Sequence, residues 1–386
     1  MKRIFLAILI ALLSFQLLPA LPKADIKYGP WITNVSETEA TIFWTTESRY
    51  LGWIEMIEDD GSTYYKAPKK AFYQTVAGRR TFSTFHRVTL TGLKPGTKYM
   101  YRIVMKKVNE DSHPYNIKYD YFSADKVRSF RTLDYSSDSC RFSMVNDIHQ
   151  NDERYVALLK DVNAENTDFL MLCGDIVNDS RSFDKILSHL IAPVTDKTSS
   201  MPVFSARGNH ETRGFAFEDF VKFFPGPKGQ LYYTFRQGPV AFVVLDAGED
   251  KPDSDFEYFG TAEFDPYRQK EAEWLKEAVE EPSFAKAPVK ICVIHIPAYT
   301  DKEAWYAQRE ATRLFGPILK KAGVDLMLSG HLHEHLFIEK GEKGNPYPIL
   351  VNSNTERLEV KATRKGIRLD CYDAGSVLFH SYEVKK

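Results

Sequence analysis

The chain has 386 residues, more than one ordinary domain holds, so two domains are expected. Lys and Arg number 51 against 52 Asp and Glu, a balance that argues against a dedicated nucleic-acid binder, which carries a basic excess. Hydrophobic residues make up 43% and aromatic residues 13%, enough to fill real cores, while four cysteines are too few for a disulfide scaffold.

The first residues read as an export signal. Lys2 and Arg3 form a positive start, residues 4–18 are apolar except for Ser14 and Gln16, and Pro19-Ala20 suits cleavage. The run is shorter than the ~18–20 residues a spanning helix needs. Residues 1–20 are therefore expected to be removed and the mature chain exported to a periplasmic or extracellular space. No Cys sits near the cleavage point to carry a lipid, and no second long apolar run follows, so no stable membrane anchor is expected after cleavage.

Residues 25–133 read as all-β. Short alternating runs such as Ala40-Thr41-Ile42-Phe43-Trp44 and His86-Arg87-Val88-Thr89-Leu90 are separated by polar turns. Leu93, Pro95, Thr97, Tyr99 and Tyr101 alternate after a Gly-containing turn. This resembles the tyrosine-corner region of fibronectin type III domains, with Trp44 as the plug between sheets. Residues 134–138 read as a short linker.

From residue 139 to the end at 386 the pattern changes. Apolar strand-like runs at 142–145, 169–173, 203–205, 241–245, 289–294, 324–328 and 349–351 alternate with helical patterns at 153–165, 269–280 and 303–321. That alternation predicts an α/β domain. Cys173 and Cys292 lie inside apolar runs and read as buried free thiols. Cys140 and Cys371 stay open as a disulfide pair in an oxidising compartment.

Five short blocks fall just beyond the carboxyl ends of these strands, the edge where open α/β sheets gather ligands. They are Asp147-Ile148-His149, Gly174-Asp175, Gly208-Asn209-His210-Glu211, His295-Ile296-Pro297 and Gly330-His331-Leu332-His333. Two cations a few ångströms apart repel, so a carboxylate must bridge them, and Asp175 is the candidate. Asp147 and His149, two apart, can aim at one ion. His331 and His333 are assigned to different ions. Asn209 offers a neutral carbonyl oxygen, and His295 completes the second ion. Imidazole with carboxylate suits two divalent ions of Mn, Fe, Zn or Co.

With all five blocks present in order, residues 140–386 resemble the calcineurin-like metallophosphoesterases. The resemblance implies a four-layer α/β sandwich, two mixed sheets flanked by helices. It implies one ion on Asp147, His149, Asp175 and His333, a second on Asp175, Asn209, His295 and His331, and His210 as the catalytic residue facing the phosphate. A β-sandwich ahead of such a domain, behind an export signal, resembles the layout of purple acid phosphatases. Those enzymes carry a metal-binding Tyr three residues after the bridging Asp, where this chain has Asn178. The layout is therefore expected without a ferric chromophore, and with a neutral to mildly alkaline optimum.

The expected reaction is in-line attack on phosphorus by a hydroxide that both ions activate. His210 would stabilise developing charge and protonate the leaving alkoxide. Glu211 or Asp179 is expected to hold the His210 ring, and Arg213 is a candidate phosphate clamp. Asp246 reads as a strand-end hydrogen-bonding residue, His335 as exposed or supporting, Tyr299 as packing or cleft lining, and Trp274 and Leu275 as helix packing. The chain is expected to hydrolyse phosphate monoesters. The alternatives are a phosphodiesterase acting on nucleotides or phospholipid head groups, and an inert binding protein. No nucleic-acid binding beyond a possible substrate is expected.

Overall fold

The computed structural model describes residues 24–386 apart from 227–228, 300 and 302–303, so the segment read as an export signal lies outside the described residues. The first sheet is antiparallel. Its strands are β1 (Tyr28–Thr33), β2 (Glu39–Glu58), β3 (Lys70–Tyr73), β4 (Ser83–Thr91), β5 (Lys98–Val108), β6 (Tyr119–Ala124) and β7 (Arg128–Arg131). Strand β2 runs 20 residues and changes partners midway. Residues 39–45 pair with β1 and β4, and residues 50–58 with β5 and β3. The tyrosine corner is present: Lys94 N donates to Tyr99 OH at 2.8 Å. Trp44 is fully buried and stacks on His86, its cross-strand partner, at 4.6 Å.

The rest of the chain makes two six-stranded mixed sheets. Strands β8 (Ser139–Val145), β9 (Phe169–Cys173) and β10 (Val203–Ala206) are parallel. Helix α1 (Asp152–Leu159) follows β8, helix α2 (Phe183–Leu190) follows β9, and helix α3 (Phe217–Phe223) follows β10. The second sheet holds β11 (Tyr233–Gln237), β12 (Val240–Leu245), β13 (Val289–Ile294), β14 (Leu326–Ser329), β15 (Leu336–Ile338) and β16 (Ile349–Val351), with β12, β13, β14 and β16 parallel. Helices α4 (Phe264–Ala278), α5 (Tyr306–Leu314) and α6 (Gly316–Ala322) lie between its strands in sequence. The last strands, β17 (Glu356–Thr363), β18 (Gly366–Asp373) and β19 (Leu378–Lys385), form an antiparallel meander that extends the sheet of β8.

Period-two burial makes this a four-layer sandwich. On β12, Val240, Phe242 and Val244 face the other sheet, while Ala241, Val243 and Leu245 face the helical layer with Leu275 of α4. An aromatic stack fills the space between sheets: Phe142–Phe169 at 4.9 Å, Phe204–Phe235 at 3.8 Å and Phe235–Phe242 at 4.5 Å. On the opposite side Val145, Leu170 and Leu172 pack on α1 and α2.

Two sequence expectations change, and one open question is answered. The helix expected over 303–321 is two helices, because Pro317 in the first turn of α6 has no N–H to continue the ladder. The helix expected over 153–165 stops at Leu159; beyond it Asn163 Oδ1 accepts from Glu165 N at 3.0 Å, a turn that competes with the helix. Cys140 and Cys371 are free and buried, like Cys173 and Cys292. They sit on β8 and β18 with β17 between them, too far apart to bond.

Candidate metal centre

The loops after β8, β9, β10, β13 and β14 meet at one edge. Five of the candidate donors hold left-handed backbone: Asp147 (φ 50°), His149 (51°), Asp175 (53°), His331 (72°) and His333 (58°). Each costs a non-glycine residue about 1–2 kcal/mol, and such strain concentrates at functional sites. Neighbouring glycines allow the approach. A Cβ on Gly208 would lie 2.2 Å from Asp175 Oδ1, and one on Gly174, itself at φ +79°, would lie 2.4 Å from His295 Nδ1.

Two groups of donor atoms result. In the first, His333 Nε2 is 3.2 Å from Asp147 Oδ1 and 3.0 Å from His149 Nε2, with 3.8 Å between His149 Nε2 and Asp147 Oδ1. In the second, His295 Nε2 is 3.2 Å from Asp175 Oδ2, and Asn209 Oδ1 is 3.1 Å from His331 Nδ1. Asp175 Oδ2 also lies 3.9 Å from His149 Nε2, so it stands between the groups. The other oxygen of Asp175 is occupied, accepting from His210 N at 2.9 Å.

The residues fit a pair of cations. Asp147 Oδ1, His295 Nε2 and His331 Nε2 are buried without a hydrogen-bond partner; the 3.2 Å approach of His295 to Asp175 lacks hydrogen-bond geometry. Orphaned buried donors and acceptors are costly, and a metal ion answers that cost. The remaining ring atoms are aimed from behind. His295 Nδ1 donates to Cys173 O at 2.7 Å, and His149 Nδ1 meets Asn178 Oδ1 at 3.1 Å, leaving both Nε2 lone pairs towards the site. Asp147 Oδ2 accepts from Asn146 Nδ2 at 2.7 Å and His331 N at 2.8 Å.

The charges are coupled. Against the cost of burial, Asp175 and Asp147 hold the His295 imidazole well above its ordinary range. Burial and then His295 push His331 down to about 3. Burial, followed by Asp175, pushes the Glu211 carboxyl up to about 7. Yet its oxygens accept from four backbone N–H groups, those of Asp175, Ile176, Val177 and Gly208. That donor set suits the carboxylate form.

The supporting residues differ from the sequence expectation. Neither Glu211 nor Asp179 holds the His210 ring. Glu211 lies beneath the loops, and Asp179 turns outward to Arg181 at 3.2 Å and Lys185 at 3.5 Å, where solvent lowers the cost of its charge. The carbonyl of Asn178 takes the His210 Nδ1 proton at 2.7 Å. His210 Nε2 therefore accepts, and Arg213 NH1 donates to it at 2.9 Å. Arg213 is braced by Glu249 through Nε at 2.7 Å and NH2 at 3.0 Å. Glu249 and the Asn146–Asn352 pair, joined by two 2.8 Å bonds, went unread because their partners lie 36 and 206 residues away. Asp246 sits apart from the donor groups as a strand-end anchor, paired with Arg207 at 2.9 Å and Tyr267 OH at 2.9 Å. Tyr299 and Leu275 pack in the helical layer, and Trp274 packs against the same cluster and against the Tyr232 ring at 4.8 Å.

The chain resembles known proteins in both halves. Residues 140–335 match the model of the calcineurin-like phosphoesterases, and residues 30–132 that of the purple acid phosphatase N-terminal domain. Purple acid phosphatase 21 of Arabidopsis thaliana is 25% identical over 328 residues, covering 76% of this chain and 65% of that protein. Purple acid phosphatase 15 of the same plant is 26% identical over 293 residues, covering 66% of this chain and 49% of that protein. The chain thus spans about half to two thirds of the length of these relatives. A purple acid phosphatase from yellow lupin (Lupinus luteus) seeds has the same fold, with a TM-score of 0.67 at 13% identity over 92% of this chain and 74% of that one.

Proposed function

The chain belongs to the calcineurin-like phosphoesterase family, and on that premise we propose that it is an exported phosphatase that frees phosphate from monoesters. Asp147, His149, Asp175 and His333 would hold one divalent ion, and Asp175, Asn209, His295 and His331 a second. The observation that carries this reading is the set of three buried donor atoms, on Asp147, His295 and His331, left unpartnered where seven candidate ligands converge. When bound, such an ion pair lowers the pKa of water towards neutrality and offsets the charge on phosphoryl oxygens.

The chain's own residues supply the rest. Asp175 spends one oxygen on His210 N, which ties the bridging position to the catalytic loop. Arg213, braced by Glu249, presents its guanidinium edge where it can turn from His210 Nε2 to a phosphate oxygen. His210 Nε2 is then free to carry a proton, which the phosphate charge favours, and to pass it to the leaving oxygen as the P–O bond breaks. The names of the relatives, all phosphatases, support monoesters over diesters. A complete donor set weighs against an inert binding protein.

The test is a panel of aryl monoesters and bis-aryl diesters, assayed after chelation and again after restoring Mn, Fe, Zn or Co singly. Chelation should abolish hydrolysis and at least one metal should restore it, with the monoester preferred. Diester preference moves the chain to the phosphodiesterase alternative, and no turnover with any metal refutes catalysis. Asn178 offers an amide where a phenolate would give colour, so the active protein should lack a visible charge-transfer band.

A further inference from the structure

A second constellation of donors lies outside this centre, on the carboxy-terminal meander. Glu356 opens β17, Cys371 is on β18 and His380 on the edge strand β19. Cys371 stands opposite Leu358 on one side and opposite His380 on the other. Glu356, two residues before Leu358, shares that face. His335 reaches the same spot from the loop that carries His331 and His333. Its Nδ1 is 2.8 Å from Glu356 Oε2, and donor atoms of His335, Glu356 and Cys371 all lie within 4.8 Å of one another. His380 stacks on His335 at 3.8 Å, with Nε2 4.0 Å from Glu356 Oε1.

We propose that His335, Glu356 and Cys371, with His380 closing the fourth position, form a structural site for a single zinc-like divalent ion, separate from the dinuclear centre. A thiolate, imidazoles and one carboxylate are the donor set of tetrahedral zinc. Cys371 is fully buried and Glu356 nearly so, which shields the site from water. His335 Nε2 is 2.9 Å from Tyr382 OH, the outer hydrogen bond that orients a ligating ring and directs Nδ1 to the ion. Binding displaces the proton on His335 Nδ1 and the thiol proton of Cys371, both released to solvent. His380 joins by turning its ring out of the stack. The ion pins the meander to the chain two residues beyond His333, and so braces the dinuclear loop from behind. This proposal does not depend on the phosphatase reading.

The test uses the full chain freed of metal and titrated with Co(II), then with Zn(II). The wild type should show thiolate-to-cobalt absorption in the near ultraviolet, and Cys371→Ser should abolish it and reduce bound zinc by one per chain. His380→Ala, on an edge strand where folding tolerates change, should keep the band but weaken the zinc affinity of this site about tenfold or more. Equal zinc content and affinity in all three proteins, with no charge-transfer band, overturns the proposal and leaves a hydrogen-bonded network. A single zinc that Cys371→Ser removes would instead refute the dinuclear centre while leaving this site standing.

Discussion

His210 is held by two bonds that set its tautomer: Nδ1–H to a carbonyl, Nε2 to an arginine. Its contact with the buried Asp175 is through the backbone N–H and its ring bonds to neither Asp175 nor Glu211, so removing the side chain should act on chemistry more than on folding. His210→Ala is expected to lower kcat by about 10²–10⁴ with KM little changed, and a loss confined to KM would make it a binding residue. Glu211 is the opposite case. It binds four backbone N–H groups from two loops, and a glutamine can accept on only one side. Two buried N–H groups would then face an NH₂. Glu211→Gln should therefore cost about 3 kcal/mol or more, read as a lower urea midpoint together with weaker metal retention. An unchanged midpoint would show that the loops hold without it. Both residues stand in one legible block, but their different jobs were not legible, because the partners that define them come from other segments.

Among elements, β2 and β4 carry a buried histidine with no acid near it. His86 is flat against Trp44, and burial alone depresses its pKa to about 3 from an ordinary 6.5. The unfolded chain thus binds a proton that the folded chain refuses whenever the pH lies between those values. Stability from this residue is complete above pH 6.5 and falls as the pH drops, by about 2 kcal/mol at pH 5. Urea midpoints measured from pH 7.5 down to 4.5 should fall more steeply in the wild type than in His86→Leu. Parallel slopes would mean that His86 is already solvated. The parallel strands were readable because both faces are buried, which leaves unbroken apolar runs such as 169–173. The meander of β17 to β19 was not read. Its strands alternate apolar with charged residues, and on β19 every residue is at least partly exposed, so no apolar run marks it.

At the scale of the whole molecule the β-rich unit and the phosphoesterase unit share a core. Trp31 of β1 is fully buried, donates from Nε1 to Phe223 O at 3.1 Å, and lies edge-on to the Phe223 ring at 6.3 Å. Tyr101 OH donates to Ser199 O at 2.7 Å, and Ile32 bridges to Pro202. Such a contact should make the two units unfold together. Trp31→Ala removes a large side chain from that junction and should cost about 3–5 kcal/mol. Calorimetry is expected to show one transition in the wild type and two in the variant, with faster proteolytic cleavage in 134–138. Two transitions already present in the wild type would refute the shared core.

What the sequence determined by itself was the chemistry and the period. Imidazole, carboxylate and amide donors recur after apolar strand runs, so candidate metal donors and an α/β domain follow from side-chain identity and local spacing, while the four-layer arrangement and the full assignment of donors to two ions came with the family resemblance. Tertiary structure alone decided which atoms of those residues are left free for a ligand and which are bonded elsewhere. It assigned one oxygen of Asp175 to His210, gave the support of His149 and His210 to Asn178, and turned Asp179 outward. It also put Trp31 against a helix 192 residues away. Local spacing constrains residues a few positions apart, whereas these bonds join groups that only the packing of sheets and loops brings within reach.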